Sequence, residues 1–178
     1  MNLPNALSLF RLFLVPVYLV VFFSTLPHAH LLAATIFIVA GLTDILDGYI
    51  ARKYNMITRL GRILDPLADK FMVWAALISL SVSRIIPVFV SILYFLKEIL
   101  MGIGGLLVWR RLKDIPGSNI WGKTSTLLFF VAIACSILFD LSGWVVWLLF
   151  GPALILMLVA FVQYVQRGIH ILKENKIK

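Results

Sequence analysis

At 178 residues, 62% of them hydrophobic, with a mean hydropathy of +1.03, the chain is far more apolar than a water-soluble domain, whose apolar share is roughly 45–50%. Lipid is therefore the expected solvent. Sixteen Lys/Arg against eight Asp/Glu give a formal net charge of +8, and in a membrane chain the position of those charges says more than their sum. The single cysteine, Cys135, lies in an apolar run; it excludes an intrachain disulfide and a thiolate metal cluster and reads as a small buried hydrophobe.

In chain order, Pro4 followed by Asn5 and Ser8 predicts a short interfacial helix ahead of the first span, because proline fits a first helical turn. Six stretches then approach the about 20 apolar residues needed to cross a hydrocarbon core of about 30 Å: 8–24, 31–51, 65–83, 85–109, 121–141 and 144–166. They are continuous rather than alternating, so helices are expected and not barrel strands. Arg11 lies inside the first run, no Lys or Arg precedes it, and further spans follow directly, so no cleaved signal peptide is expected. Pro16, Pro87 and Pro152 fall within the spans, where proline kinks helices. With no internal repeat and no soluble segment, residues 1–178 read as a single all-α membrane domain of six transmembrane helices.

Topology follows from the loops. Arg52, Lys53, Arg59 and Arg62 lie between the second and third spans, and Arg110, Arg111, Lys113 and Lys123 around the connection from the fourth to the fifth. Arg167, Lys173, Lys176 and Lys178 mark the C-terminal tail, whereas residues 24–30 and 140–143 hold no Lys or Arg and only Arg84 marks the remaining outer loop. The positive-inside rule then places both termini in the cytoplasm. Trp109, Trp121, Trp144 and Trp147 read as interfacial anchors.

Against this background four acids stand out. An acidic residue inside a membrane helix costs about 2.5–3.5 kcal/mol on insertion scales, yet Asp44 and Asp47 fall in the second span and Asp65 and Asp69 in the third. Spacings of three and four put each pair on one helix face. Gly41, Asp44, Gly48 and Ala51 share a stripe, and Gly61, Asp65 and Asp69 recur every fourth residue, so small side chains surround the acids and admit a close ligand. Carboxylates gathered in a low dielectric repel one another unless cations compensate them, and hard oxygen donors suit Mg²⁺, Mn²⁺ or Ca²⁺. Beneath a basic rim at headgroup depth, such a centre points to a phosphate-bearing membrane substrate and phosphoryl-type chemistry. Two other readings stand beside it: interhelical pairing of the acids with Arg52, Arg62 or Lys70, and a divalent-cation transporter, which would place its acids nearer the midplane on broken helices.

Read as a string, Asp44-x-x-Asp47-Gly48-x-x-Ala51-Arg52, eight residues, then Gly61-x-x-x-Asp65-x-x-x-Asp69 resembles the signature of the CDP-alcohol phosphotransferases at every position. The likeness extends over nearly the whole chain: residues 2–8 with Arg11, the run Asp65-Pro66-Leu67-Ala68-Asp69-Lys70, and Gly122, Lys123 and Thr126 resemble the branch that uses glycerol 3-phosphate. That branch usually has Arg-Glu in its fourth span, where this chain has Lys97-Glu98.

The resemblance implies a six-helix enzyme, usually homodimeric, in the cell membrane with its active site facing the cytoplasm. Its reaction would transfer the phosphatidyl group of CDP-diacylglycerol to glycerol 3-phosphate, giving phosphatidylglycerophosphate and CMP. Phosphatidylglycerol, giving cardiolipin, and inositol phosphate are acceptors elsewhere in the family. Asp44, Asp47, Asp65 and Asp69 would hold Mg²⁺ or Mn²⁺, with Asp69 also the general base. Gly41, Gly48, Ala51, Arg52, Gly61 and Asn5 would meet the CDP moiety. For the acceptor phosphate the candidates are Lys123, Arg110, Arg111 and Lys113, although the positive-inside rule alone would put basic residues there. No nucleic-acid partner is expected. Gly102, Gly104 and Gly105 suggest close helix packing, and His28, His30 and His170 are too scattered for a shared metal site.

Overall fold

The computed structural model describes residues 3–54, 58, 61–112, 120–139, 141 and 143–174. Among them it forms six helices: α1 (Leu3–Phe22), α2 (Ala29–Lys53), α3 (Gly61–Val82), α4 (Val88–Leu112), α5 (Ile120–Phe139) and α6 (Trp144–Glu174). Five of these, all but α3, are long and apolar enough to cross a membrane. The protein is thus an all-α integral membrane protein. The 22 residues of α3 would rise about 33 Å, enough to span, but Arg62, Asp65, Asp69 and Lys70 crowd its first ten positions and lower its hydropathy. Many large apolar side chains are exposed along the helices, Phe13, Val20, Ile45, Leu148 and Ile155 among them, as expected where lipid and not water is the neighbour.

Two boundaries differ instructively from the hydropathy reading. The interfacial helix expected at Pro4 is the first turn of α1 itself, which runs unbroken from Leu3; proline in a first turn removes a donor that has no helical partner anyway. Helix α3 begins at Gly61, four residues before the apolar run, with the Gly61 amide, which has no helical partner, donating to Thr58 Oγ1 at 2.9 Å. Pro16 and Pro152 lie inside α1 and α6, whereas Pro87 stands just ahead of α4, where it ends the preceding turn. His28 and Arg84 adopt left-handed backbone conformations, with φ of 62° and 59°, in the turns before α2 and α4.

Contacts divide the chain into two compact units, Met1–Ile85 with Ile133–Leu141, and Ile86–Ala132 with Ser142–Lys178. In the first, α1 packs along both α2 and α3, which also touch each other. Its core holds Tyr18, Phe22 and Phe37, with Tyr18 against both phenylalanine rings, and Ala33, Ala34 and Ala76, whose small side chains let the helices approach. In the second, α4 packs on α6, and Phe129 of α5 meets Tyr94 and Phe150 edge-on at 5.0 and 5.9 Å between ring centroids.

Candidate active site

Along α1 the residues Asn5, Ser8 and Arg11 recur every third position and share one face. Their exposures are 7%, 0% and 1%, so each of these side chains must find a protein partner or leave an uncompensated dipole or charge in the bundle. Each does. Arg11 donates from Nη1 to Asp44 Oδ1 and from Nη2 to Asp47 Oδ2, one guanidinium spanning two carboxylates of α2. The Ser8 hydroxyl contacts Asp65 Oδ1 of α3 and lies 2.9 Å from the Pro4 carbonyl. Asn5 Oδ1 accepts from Thr58 Oγ1 at 2.9 Å, and the Gly61 amide donates to the same threonine oxygen at 2.9 Å. One face of α1 therefore reaches Asp44 and Asp47, Asp65, and the entry to α3.

Asp47 is buried and feels the charges of Arg11, Asp44 and Asp65, and its carboxylate also receives the Gly48 amide. Three carboxylates against one guanidinium leave a formal charge of −2, the kind of surplus that a divalent cation offsets. Carboxylate oxygens are hard donors, so the chemistry of the set fits Mg²⁺ or Mn²⁺. Asp44, with its side chain 40% exposed, is the open edge of the group, and Asp69 is half-buried one turn beyond Asp65 on α3. Among the described residues no three carboxylates are arranged to enclose one ion: Arg11 lies between Asp44 and Asp47, and Asp65 turns toward Ser8.

The other expected residues fall as follows. Gly41, Gly48 and Ala51 are half-buried on α2 beside the aspartates. Gly61 is buried, and a Cβ there would lie 2.8 Å from Asn5 Oδ1, 3.1 Å from Thr58 Oγ1 and 3.6 Å from Asp65 Oδ2; the glycine makes room for the Asn5–Thr58 link. The side chains of Arg52, Arg110 and Arg111, and all of Lys113, lie outside the described residues. In the second unit Lys123 is exposed in the first turn of α5. Lys97 pairs with Glu98 and stands 5.5 Å from the Tyr94 ring centroid. Gly105 faces Tyr164, whose hydroxyl donates to the Met101 carbonyl at 3.3 Å, while nothing approaches Gly102 within 4 Å. Packing thus uses Gly104 and Gly105 but not Gly102.

Sequence reasoning paired the aspartates with one another and with loop cations and missed their partners on α1. The signal was present: Arg11 is a charge within an apolar span, and Ser8 and Asn5 continue its stripe toward the N-terminus.

The fold and this cluster define a helical membrane protein whose first three helices gather acidic side chains around a buried arginine. A sequence model of the CDP-alcohol phosphatidyltransferases matches residues 1–166, and the chain belongs to that family. Relatives include the CDP-diacylglycerol–glycerol-3-phosphate 3-phosphatidyltransferase of Bacillus subtilis, 35% identical over 79% of this chain and 78% of the relative. The enzyme of the same name from Aquifex aeolicus is 36% identical over 94% of this chain and 96% of its own. A probable phosphatidylglycerophosphate synthase of Mycobacterium tuberculosis is 38% identical over 94% and 82%.

Proposed function

We propose that the protein transfers the phosphatidyl group of CDP-diacylglycerol to glycerol 3-phosphate, forming phosphatidylglycerophosphate and CMP. The observation that carries this reading is the gathering of Asp44, Asp47 and Asp65 around the polar face of α1, in a chain whose relatives, matched over most of their length, are named for that reaction. Asp44, Asp47, Asp65 and Asp69 would hold Mg²⁺ or Mn²⁺, which when bound would neutralise the pyrophosphate of the nucleotide. Asp69 takes the proton from the acceptor hydroxyl as its oxygen attacks the phosphorus next to the diacylglycerol, and the bond from that phosphorus to the CMP oxygen breaks. Gly41, Gly48, Ala51 and Gly61 leave space for the nucleotide, Asn5 borders it, and Arg52 pairs with phosphate. Lys123, Arg110, Arg111 and Lys113 are the cations offered to the acceptor's phosphate. By the positive-inside rule the basic loops, both termini and this chemistry would face the cytoplasmic side of the cell membrane, and the family resemblance supports a homodimer as the working unit.

The test is purified protein in nanodiscs with CDP-diacylglycerol, Mg²⁺ and a panel of acceptors, following CMP release and the lipid product. Glycerol 3-phosphate should give phosphatidylglycerophosphate. Product only with phosphatidylglycerol or inositol phosphate would replace the acceptor, and no CMP release with any alcohol would sink the reaction class.

A further inference from the structure

Arg11 and Ser8 of α1 take no part in the transfer itself, yet their side chains touch three of the carboxylates. Arg11 sits mid-span at 1% exposure, and its Nε has no partner among the described residues, so the side chain is held by Asp44 and Asp47 and by packing alone. The planar fork uses one oxygen of each carboxylate, Asp44 Oδ1 and Asp47 Oδ2, and leaves Asp44 Oδ2 and Asp47 Oδ1 outside its grip. A guanidinium is the side chain that can do this: it presents two N–H groups at fixed spacing and keeps its charge at any working pH, whereas an ammonium is a single point. Ser8 bears on Asp65 Oδ1 in the same manner, and its position is tied to the first turn of α1 through the Pro4 carbonyl.

We infer that α1 is the positioning element of the site: Arg11 orients Asp44 and Asp47 side by side, Ser8 orients Asp65, and both stay in place when a divalent cation is bound. The inference rests on the reading of these aspartates as metal ligands. Arg11 is no displaceable stand-in for the ion, since leaving both carboxylates would strip a fully buried guanidinium in a transmembrane helix of its hydrogen-bonded partners. It acts from behind the carboxylates, as outer-shell partners do at metal sites, and its charge lessens the repulsion between Asp44 and Asp47.

The experiment is Mn²⁺ titration of the full-length protein in nanodiscs without nucleotide, read by electron paramagnetic resonance of free Mn²⁺ and by calorimetry. Arg11→Lys, which keeps the charge and loses the fork, should weaken Mn²⁺ binding by about 10–100-fold. The Mn²⁺ concentration for half-maximal activity should rise in parallel, and excess Mn²⁺ should recover part of the rate. Phe37→Leu, in the same packed unit but away from the carboxylates, should lower the melting temperature with Mn²⁺ affinity unchanged, which separates positioning from mere stability. Ser8→Ala is the gentler second variant and should weaken Mn²⁺ binding in the same direction even if Arg11→Lys does not fold. Unchanged or tighter binding in a folded Arg11→Lys or Ser8→Ala protein, while the parent binds Mn²⁺, would overturn the inference and leave the metal reading intact. A parent protein that binds no Mn²⁺ would bring down both.

Discussion

Arg11 on α1 and Asp47 on α2 form an ion pair in which both side chains are almost wholly buried, at 1% and 3% exposure. A buried pair of this kind is weak evidence of net stability, because desolvation offsets most of the attraction, but removing Asp47 leaves a buried guanidinium with half of its hydrogen bonds to carboxylate. Asp47→Asn, which leaves the guanidinium with the Asp44 carboxylate alone, should therefore destabilise the protein by about 1–3 kcal/mol. Asp44→Asn should cost distinctly less, since that carboxylate is partly open and so less desolvated. Thermal unfolding of the two variants in the same detergent checks the order; equal losses would contradict the burial difference.

Asp69 is proposed to receive the acceptor proton, and that role separates it from the other three acids. Asp69→Asn should lower kcat for CMP release by about 10²–10⁴-fold, the range general-base catalysis supplies, while CDP-diacylglycerol binding falls much less. Single-turnover CMP release together with binding of a labelled CDP nucleotide distinguishes the two effects. A variant that kept its turnover would remove the base.

Chelation should abolish CMP release, and Mg²⁺ or Mn²⁺ should restore it, because the acids gathered with Arg11 carry a surplus of negative charge that the guanidinium alone does not balance. Activity that survives exhaustive EDTA treatment would place the catalytic charge on protein side chains.

Gly61 gives a geometric test of the nucleotide side. In Gly61→Ala the new Cβ would meet Asn5 Oδ1 at 2.8 Å, so Asn5 must turn away and its bond to Thr58 is lost. The obstacle is the end of a side chain and not backbone, so the helices should still pack. The expected result is a folded protein with kcat/KM for CDP-diacylglycerol lowered by about 10–100-fold, the scale on which small misplacements act. Full activity in Gly61→Ala would show that Asn5 has no part in binding.

The helices and their acids were legible because each rests on a pattern local in sequence: apolar runs of membrane-crossing length, and carboxylates three and four residues apart within them. The end of α6 was not, since it continues through Gln163, Gln166 and Arg167 to Glu174, where hydropathy falls but helical hydrogen bonding does not. Nor was the pairing of Arg11, 33 and 36 residues from its carboxylates, because periodicity gives the face a side chain occupies and not the helix opposite. An arginine inside an apolar span announces that a partner exists; only the packing of α1 against α2 names it.

The second unit offers a test of close helix packing that does not involve catalysis. A Cβ on Gly105 would fall 2.9 Å from Tyr164 Oη, and that hydroxyl is already engaged with the Met101 carbonyl of the same helix, so the ring cannot move aside without giving up its bond. Gly105→Ala should thus destabilise the α4–α6 contact by about 1–3 kcal/mol, the usual cost of overpacking. In a Tyr164→Phe background the obstructing oxygen is absent, and the same substitution should cost markedly less. Gly102→Ala, three residues away on the same helix with no atom within 4 Å, should be nearly neutral. A thermal-unfolding double-mutant cycle measures the coupling between positions 105 and 164 directly. Additive effects at the two positions would mean that the glycine is not there to admit the tyrosine.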